Sequence, residues 1–274
     1  MARCTFEADP RARRVLGPMA VGPCMVVVET LLCGHFLEGV KVRRQVTGLP
    51  YAVVARDALR AGWLRGYFPW GLGQAATKGL PVLATQRACE DALLPPAPAD
   101  GSAAPGRAAA VVLSGAAAGV AQAVVVTPTQ RLKTVAWIQG AGVRAVIRRP
   151  ATLFAGVTPM ALRRAVDWGI RVGVVRGGGE PGDRSLGHQV GTCLAAAALS
   201  SSVSMPFDNL VARTQAEPAS QKSRGGLLRC AREIVAAEGL RHGLYRGWLV
   251  RLLDSGHHTF WVLVAGGAIL RGLG

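Results

Sequence analysis

VVARDALRAGWLRG, residues 53–66, returns near the other end of the chain as IVAAEGLRHGLYRG, residues 234–247. Seven of the 14 positions are identical without a gap: Val54/Val235, Ala55/Ala236, Leu59/Leu240, Arg60/Arg241, Gly62/Gly243, Arg65/Arg246 and Gly66/Gly247. Asp57 and Glu238 add a conservative match. Each copy follows one apolar window and precedes another. Self-similarity of this kind marks a chain assembled from repeated units, and it decides the fold before any single element does.

Working outward, the flanking windows are long. Residues 108–130 and 185–207 each run 23 residues without an Asp, Glu, Lys or Arg. About 20 apolar residues cross a bilayer core as a helix. Four further windows carry charges: 17–35 (Glu29), 67–87 (Lys78), 157–175 (Arg163, Arg164, Asp167, Arg171) and 248–270 (Arg251, Asp254). A charge at mid-bilayer costs about 2.5–3.5 kcal/mol on insertion scales, so these side chains are expected to face a protein interior or a watery cavity. Gly115-x-x-x-Gly119 and Gly187-x-x-x-Gly191 read as close-packing faces of the odd-numbered helices.

A second pattern sits at the end of each odd window. It reads Phe36-x-Glu38-x-x-Lys41-x-x-x-Gln45, then Pro128-x-Gln130-x-x-Lys133, then Pro206-x-Asp208-x-x-Val211-x-x-x-Gln215. The middle copy continues through Arg144, Arg148 and Arg149 to Phe154-Ala155-Gly156. The unit is span, acid/base signature, short amphipathic segment, aromatic-basic-Gly turn, span. Three units, at 1–100, 101–184 and 185–274, predict an all-α membrane protein. It has six transmembrane helices in three pseudo-repeats around a central cavity, with short helices on one side. The stretches 95–106 and 176–183 read as the loops between units.

At these residues the chain resembles the mitochondrial carrier family, whose signature is P-x-[DE]-x-x-[KR] followed by [DE]-G-x(4)-[aromatic]-[KR]-G, three times. The third copy is the best match (Pro206, Asp208, Glu238-Gly239, Tyr245-Arg246-Gly247), with a spacer one residue longer than usual. Phe36 in place of Pro, Gln130 in place of the acid and Phe154-Ala155-Gly156 depart from it. The chain looks closest to the fungal-type citrate–2-oxoglutarate carrier branch. That resemblance rests on Gly66 to Trp70 with Ala76 to Gly79, on Leu162-Arg163-Arg164 before Asp167-Trp168-Gly169, on Leu244 to Gly247 with Arg251, and on Glu29. Gln74, Arg164 and Asp254 differ from that branch's residues, which rearranges the charge of the expected cavity.

The resemblance implies an antiporter of the mitochondrial inner membrane, multi-pass and monomeric, working by alternating access and not an enzyme. It also implies a matrix-side gate in which Glu38 meets Lys133 and Asp208 meets Lys41. The third contact, Gln130 with Val211, has no ionic form. Gln45 and Gln215 would brace the gate from beneath. The residues carry a separate argument for the cargo. Lys78, Arg163, Arg164 and Arg251 lie in three different even-numbered windows, and their cheapest common location is one cavity. Buried cations in excess of local acid call for an anion. Arginine matches a carboxylate with two parallel hydrogen bonds, and lysine acts as a point charge. These four, with Gln74, are the expected substrate contacts, and small di- or tricarboxylates of the citrate and 2-oxoglutarate type are the expected cargo. Pairing of Arg163 or Arg164 with Asp167 or Asp254 is the bland alternative. His257 and His258, on the same window as Arg251, can relay a proton or simply hydrogen-bond within the bundle.

Composition closes off other classes. The chain has 274 residues, 50% of them hydrophobic and 18% charged, which excludes a disordered chain. Its six cysteines (Cys4, Cys24, Cys33, Cys89, Cys193, Cys230) are dispersed and form no C-x-x-C, so neither a disulfide scaffold nor a metal site is expected. No cofactor motif, phosphate loop or nucleophile elbow occurs. The acids Glu7 and Asp9 among the arginines of the first 14 residues point to a short basic tail rather than a leader. The net charge of +16 gathers near span ends, where it suits cardiolipin-rich surfaces. Two alternatives remain: a carrier of nucleotides or other phosphate anions, and a degenerate carrier that binds membrane or nucleic acid. Nucleic acid and an obligate protein partner are not expected.

Overall fold

The computed structural model describes residues 24–93, 106–138, 143–177, 185–216 and 227–261. The expected basic tail and most of both inter-unit stretches lie outside them, as do the first residues of the 17–35 window and the last of the 248–270 window. The described residues are mostly helical, joined by short turns, with no strand among them. The first described residues, from 24, are helical, widen into a π turn at Thr30–Gly34 and continue as α1 (His35–Thr47). After α2 (Tyr51–Arg60) and a second π turn (Tyr67–Gly71) come α3 (Leu72–Thr77) and α4 (Leu80–Leu93). α5 (Arg107–Ile138), α6 (Val143–Ile147) and α7 (Val157–Gly177) follow, with a 3₁₀ turn at Pro150–Phe154. The remainder is α8 (Leu186–Ala216), α9 (Leu227–Gly239), a π turn at Leu240–Leu244 and α10 (Trp248–Phe260). Three times the chain thus runs from a helix bearing the acid/base signature, through a short helix, to a second helix.

Each second helix is entered through a glycine at positive φ: Gly66 at 78°, Gly156 at 79° and Gly247 at 86°. These are the three final residues of the aromatic-basic-Gly pattern. An L side chain rarely adopts that backbone conformation, which is why the pattern ends on glycine even where its other positions have drifted. The short helices are amphipathic. In α2, Val54 and Ala58 are buried one turn apart while Arg56, Asp57 and Arg60 stay out; in α9, Ile234 is buried and Arg229 donates to exposed Glu233 at 2.8 Å.

The helices neighbour one another in the order α4, α5, α7, α8, α10, α1, and α1 also touches α5 and α8. Between α5 and α7 the backbones nearly meet. A side chain at Gly119 would run into the carbonyl of Arg164, and one at Gly115 would come within 2.9 Å of the Trp168 carbonyl. Among the described residues nothing lies within 4 Å of a would-be side chain at Gly187 or Gly191, so the spacing there brings no described helix into the close approach seen at Gly115 and Gly119. α5 and α8 run on through Pro128 and Pro206.

Burial in this molecule is inverted relative to a water-soluble one. Val112, Leu113, Val120, Val124 and Val125 of α5 are exposed, as are Leu194, Leu199 and Val203 of α8. On the inner faces of the same helices Gln122, Gln130, Arg131 and Lys133, and Ser200, Ser204, Asp208 and Gln215, are buried. Among the described residues two helices are long and apolar enough to cross a membrane, Arg107–Ile138 and Gly187–Ala216. The 32 residues of α5 extend about 48 Å at ~1.5 Å per residue. The other helices miss that criterion because the charges noted in their windows lower their apolarity or because fewer residues are described.

Candidate functional site

Two side-chain clusters tie the helices together at the level of the acid/base signatures. In the first, Lys133 Nζ on α5 donates to Glu38 Oε2 on α1 at 2.6 Å, and Gln130 Nε2 donates to Glu38 Oε1 at 3.0 Å. Gln74, from α3, joins them: its amide donates to Gln130 and its carbonyl oxygen accepts from Lys133. Lys133 also stands over the Trp137 ring, 5.1 Å from its centroid. The sequence placed Gln74 with the substrate contacts; here it is occupied within this cluster. The helix break at Lys78-Gly79 turns α3 toward it, and Gln122 Nε2 donates to the Lys78 carbonyl at 2.7 Å across that break.

The second cluster is centred on Asp208 of α8, which is 2% exposed. It accepts from Gln45 Nε2 at 3.0 Å and pairs with Lys41 at 3.2 Å and with Arg163 at 2.9 Å. Arg163 therefore meets neither Asp167 nor Asp254 but the acid of the third signature, an arrangement that depends on how α7 is rotated. Gln45 lies against the acid cluster, whereas Gln215 is bonded through Thr134 Oγ1 at 3.4 Å. At the third position Val211 packs with Ala123 and Met160, so that contact is apolar. Arg131, buried beside it, donates to the backbone carbonyls of Thr214 and Gln215 near the end of α8.

Arg251, Arg164 and Lys78 are differently placed. Arg251 lies 3.6 Å from Asp167 and 3.7 Å from Asp254, longer than a direct charged hydrogen bond. Arg164 is half-buried with its Nε enclosed, and it makes no ion pair among the described residues. The Lys78 ammonium likewise has no ion-pair partner within 4 Å among them. Lys78 lies in the field of Arg164, and Arg164 in those of Arg163 and Arg251. The sequence-selected cations thus come from three elements into one electrostatic neighbourhood.

Sequence reasoning passed over several residues of this interior. Arg171 donates from Nε to Asp167 at 3.0 Å and to Ser200 Oγ at 3.1 Å, and from Nη2 to Ser255 Oγ at 2.8 Å; Ser201 bonds Ser255 at 2.8 Å. Serines are common in such helices, and nothing in their spacing shows that two of them face one arginine and a third backs one of those two. Asn209 donates to the carbonyls of Leu244 and Arg246 at 2.7 and 3.1 Å, fastening the last turn to α8.

Outside the long helices, Glu238 of α9 pairs with Arg213 and, at 2.8 Å, with Arg246. Partial burial alone would raise its pKa; the two guanidinium groups outweigh that and hold the carboxyl below the usual glutamate range. A lowered folded-state pKa means the latch contributes fully above the unfolded value of about 4.3 and is lost as pH falls through the folded value. Thermal stability in detergent is expected to fall on acidification below pH ~5, and Glu238→Gln to flatten that part of the curve. Identical pH profiles for wild type and variant would exclude the latch.

No group of His, Cys, Asp and Glu with metal-binding geometry occurs among the described residues. No curated protein matches the chain. Residues 182–266, which hold Pro206, Asp208, Glu238, Arg246 and Arg251, match the family model described as mitochondrial carrier protein, and that is the family to which this part of the chain is similar.

Proposed function

We propose that the chain is a solute carrier of the mitochondrial inner membrane that exchanges small di- and tricarboxylates, of the citrate and 2-oxoglutarate type, by alternating access. The family match over 182–266 supports a transporter rather than an enzyme. The single observation that carries the cargo is the set Lys78, Arg164 and Arg251: one buried and two half-buried cations, two without an ion-pair partner among the described residues and one only loosely paired. Two or three carboxylates on one small molecule can bridge them. The inverted burial supports membrane immersion, since exposed valine and leucine faces suit lipid and buried polar faces suit an interior path.

In this reading the Glu38 and Asp208 clusters are the closed matrix-side gate, with six spans built from residues 24–47, 67–93, 107–138, 157–177, 186–216 and 248 onward. The units 1–100, 101–184 and 185–274 are its three repeats. Gln45 braces the gate, and Gln215 sits behind it against Thr134. Gln74 and Arg163 belong to the closed gate and reach the cargo only when it opens. A groove of about 680 Å³ bordered by Arg44, Tyr51, Arg241, Tyr245 and Trp248 suits the diphosphate headgroup of cardiolipin.

Purified protein in liposomes loaded with citrate is expected to take up labelled citrate and 2-oxoglutarate by exchange. Failure with every di- and tricarboxylate, alongside exchange of ATP or phosphate, would move the cargo to phosphate anions. Failure with all of them would leave a membrane-binding protein without transport.

A further inference from the structure

The carrier reading leaves one buried charge without a task. Glu29, 4% exposed, sits where the first span opens into its π turn, about 13 Å along the helix from the Glu38 gate at ~1.5 Å per residue. Its Oε2 is 3.2 Å from His258 Nδ1 and its Oε1 is 3.5 Å from His257 Nδ1, both on α10. Thr30 Oγ1 donates to Oε2 at 3.3 Å. One carboxylate thus bridges the first and last spans through two imidazoles.

The imidazoles are not equivalent. Trp261 Nε1–H donates to His257 Nε2 at 3.0 Å. An indole nitrogen only donates, so His257 Nε2 holds a lone pair and its ring proton lies on Nδ1, toward Glu29. His258 makes its side-chain hydrogen bond to Glu29 alone among the described residues, which leaves its Nε2 able to take up a proton.

We propose that Glu29 and His258 form a proton-binding site that loads one proton together with the anionic cargo, so that transport is proton-coupled. The inference rests on the carrier reading above. With one proton on His258 Nδ1 the pair carries a net charge of −1. A proton from water bound at Nε2 makes an imidazolium–carboxylate pair of net zero, and the same N–H bond breaks to release it on the opposite side. Lys78, on the second span, lies in the field of both groups. While the pair is negative, Lys78 is shared with Glu29 and an entering carboxylate is repelled. Once the pair is neutral, Lys78 is available to the cargo. Proton and anion therefore favour each other's binding, and the effect is reciprocal.

The remaining groups around the pair do not replace this proton. Arg171 faces His258 from α7 but is held by Asp167 at 3.0 Å. Asp254 on α10 feels Glu29 and lies 3.7 Å from Arg251. Tyr67, before α3, donates its hydroxyl to the Val27 carbonyl at 3.4 Å.

Labelled 2-oxoglutarate is the probe, because its two carboxylates stay ionised across neutral pH. Liposomes loaded with citrate and carrying the protein and an internal pH dye are held at external pH ~6 with the interior at ~6 or ~8. Wild-type uptake is expected to rise about tenfold with the gradient, within the hundredfold that two pH units allow, with matching internal acidification. Glu29→Gln and His258→Asn are each expected to bring the ratio with and without gradient to about one. For a variant that does not transport, the readout is thermal stabilisation by 2-oxoglutarate in detergent. It grows toward acid pH in wild type and is expected to lose that dependence in the variant. Wild-type uptake that ignores the gradient overturns proton coupling and leaves the carrier reading standing. Variants that keep the wild-type ratio, or the wild-type pH dependence of stabilisation, overturn the assignment to Glu29 and His258. No 2-oxoglutarate uptake under any gradient overturns both this inference and the carboxylate carrier.

Discussion

Asp208→Asn is expected to destabilise the protein by about 3–5 kcal/mol, because it removes the one acid shared by two buried cations. Lys41 at 3.2 Å and Arg163 at 2.9 Å both neutralise against this carboxylate, and all three side chains are enclosed. Asparagine keeps the volume and can still bond Gln45, so the loss reports charge rather than packing. A buried charge left without its partner is the costly half of any such pair. Against a typical total of about 5–15 kcal/mol the effect is large, and it is measurable as a fall in detergent unfolding temperature followed through tryptophan emission. Asp208→Asn combined with Lys41→Met is expected to recover part of the loss, since one of the two stranded cations is gone. A single variant within about 0.5 kcal/mol of wild type would show that water or a neighbour already serves these cations.

Arg164→Leu is expected to do the opposite to stability and worse to transport. The guanidinium has a buried Nε without a hydrogen-bond partner and no ion pair among the described residues. Replacing an enclosed, uncompensated charge with an apolar side chain is expected to raise stability by about 1–4 kcal/mol. Uptake of dicarboxylate is expected to fall by at least about 100-fold, the equivalent of losing one desolvated charge contact to the cargo. A site that holds stability down for the sake of binding is the usual origin of such a trade-off. Arg163→Leu supplies the contrast, because its charge is engaged by Asp208, and stability and transport are expected to fall together. If Arg164→Leu transports at the wild-type rate, Arg164 is not a cargo contact, whatever its effect on folding.

The repeat pattern was readable in the chain because it is written in residues with a backbone reason to persist. Gly66, Gly156 and Gly247 all take positive φ, so they remain where Phe36, Gln130 and Ala155 have departed from the signature. The contacts Glu38–Lys133 and Lys41–Asp208 were expected from the family resemblance, and both are present as ion pairs. What the chain did not disclose depends on helix rotation and on breaks. Gln74 reaches Gln130 and Lys133 because α3 ends at Thr77. Arg163 and Arg164 are adjacent, yet one meets Asp208 while the other's carbonyl lies against Gly119 and its charge is left without an ion pair among the described residues. A one-dimensional window cannot separate two neighbours whose directions differ by about 100° around a helix.

α1 carries both Glu38 and Lys41, so both ion pairs between signature residues run through it, to α5 on one side and α8 on the other. The α5–α8 joint has Val211 against Ala123 and Met160, with Arg131 tethered to carbonyl oxygens beyond it. Mechanically α1 is a doorpost with a latch on each flank, and the far seam is a plain edge on a hinge pin. At Val211 itself that edge is held by apolar contacts alone. On the carrier reading proposed above, the floor opens first along this apolar seam, and salt has little leverage on the two flanking joints because their ion pairs are enclosed.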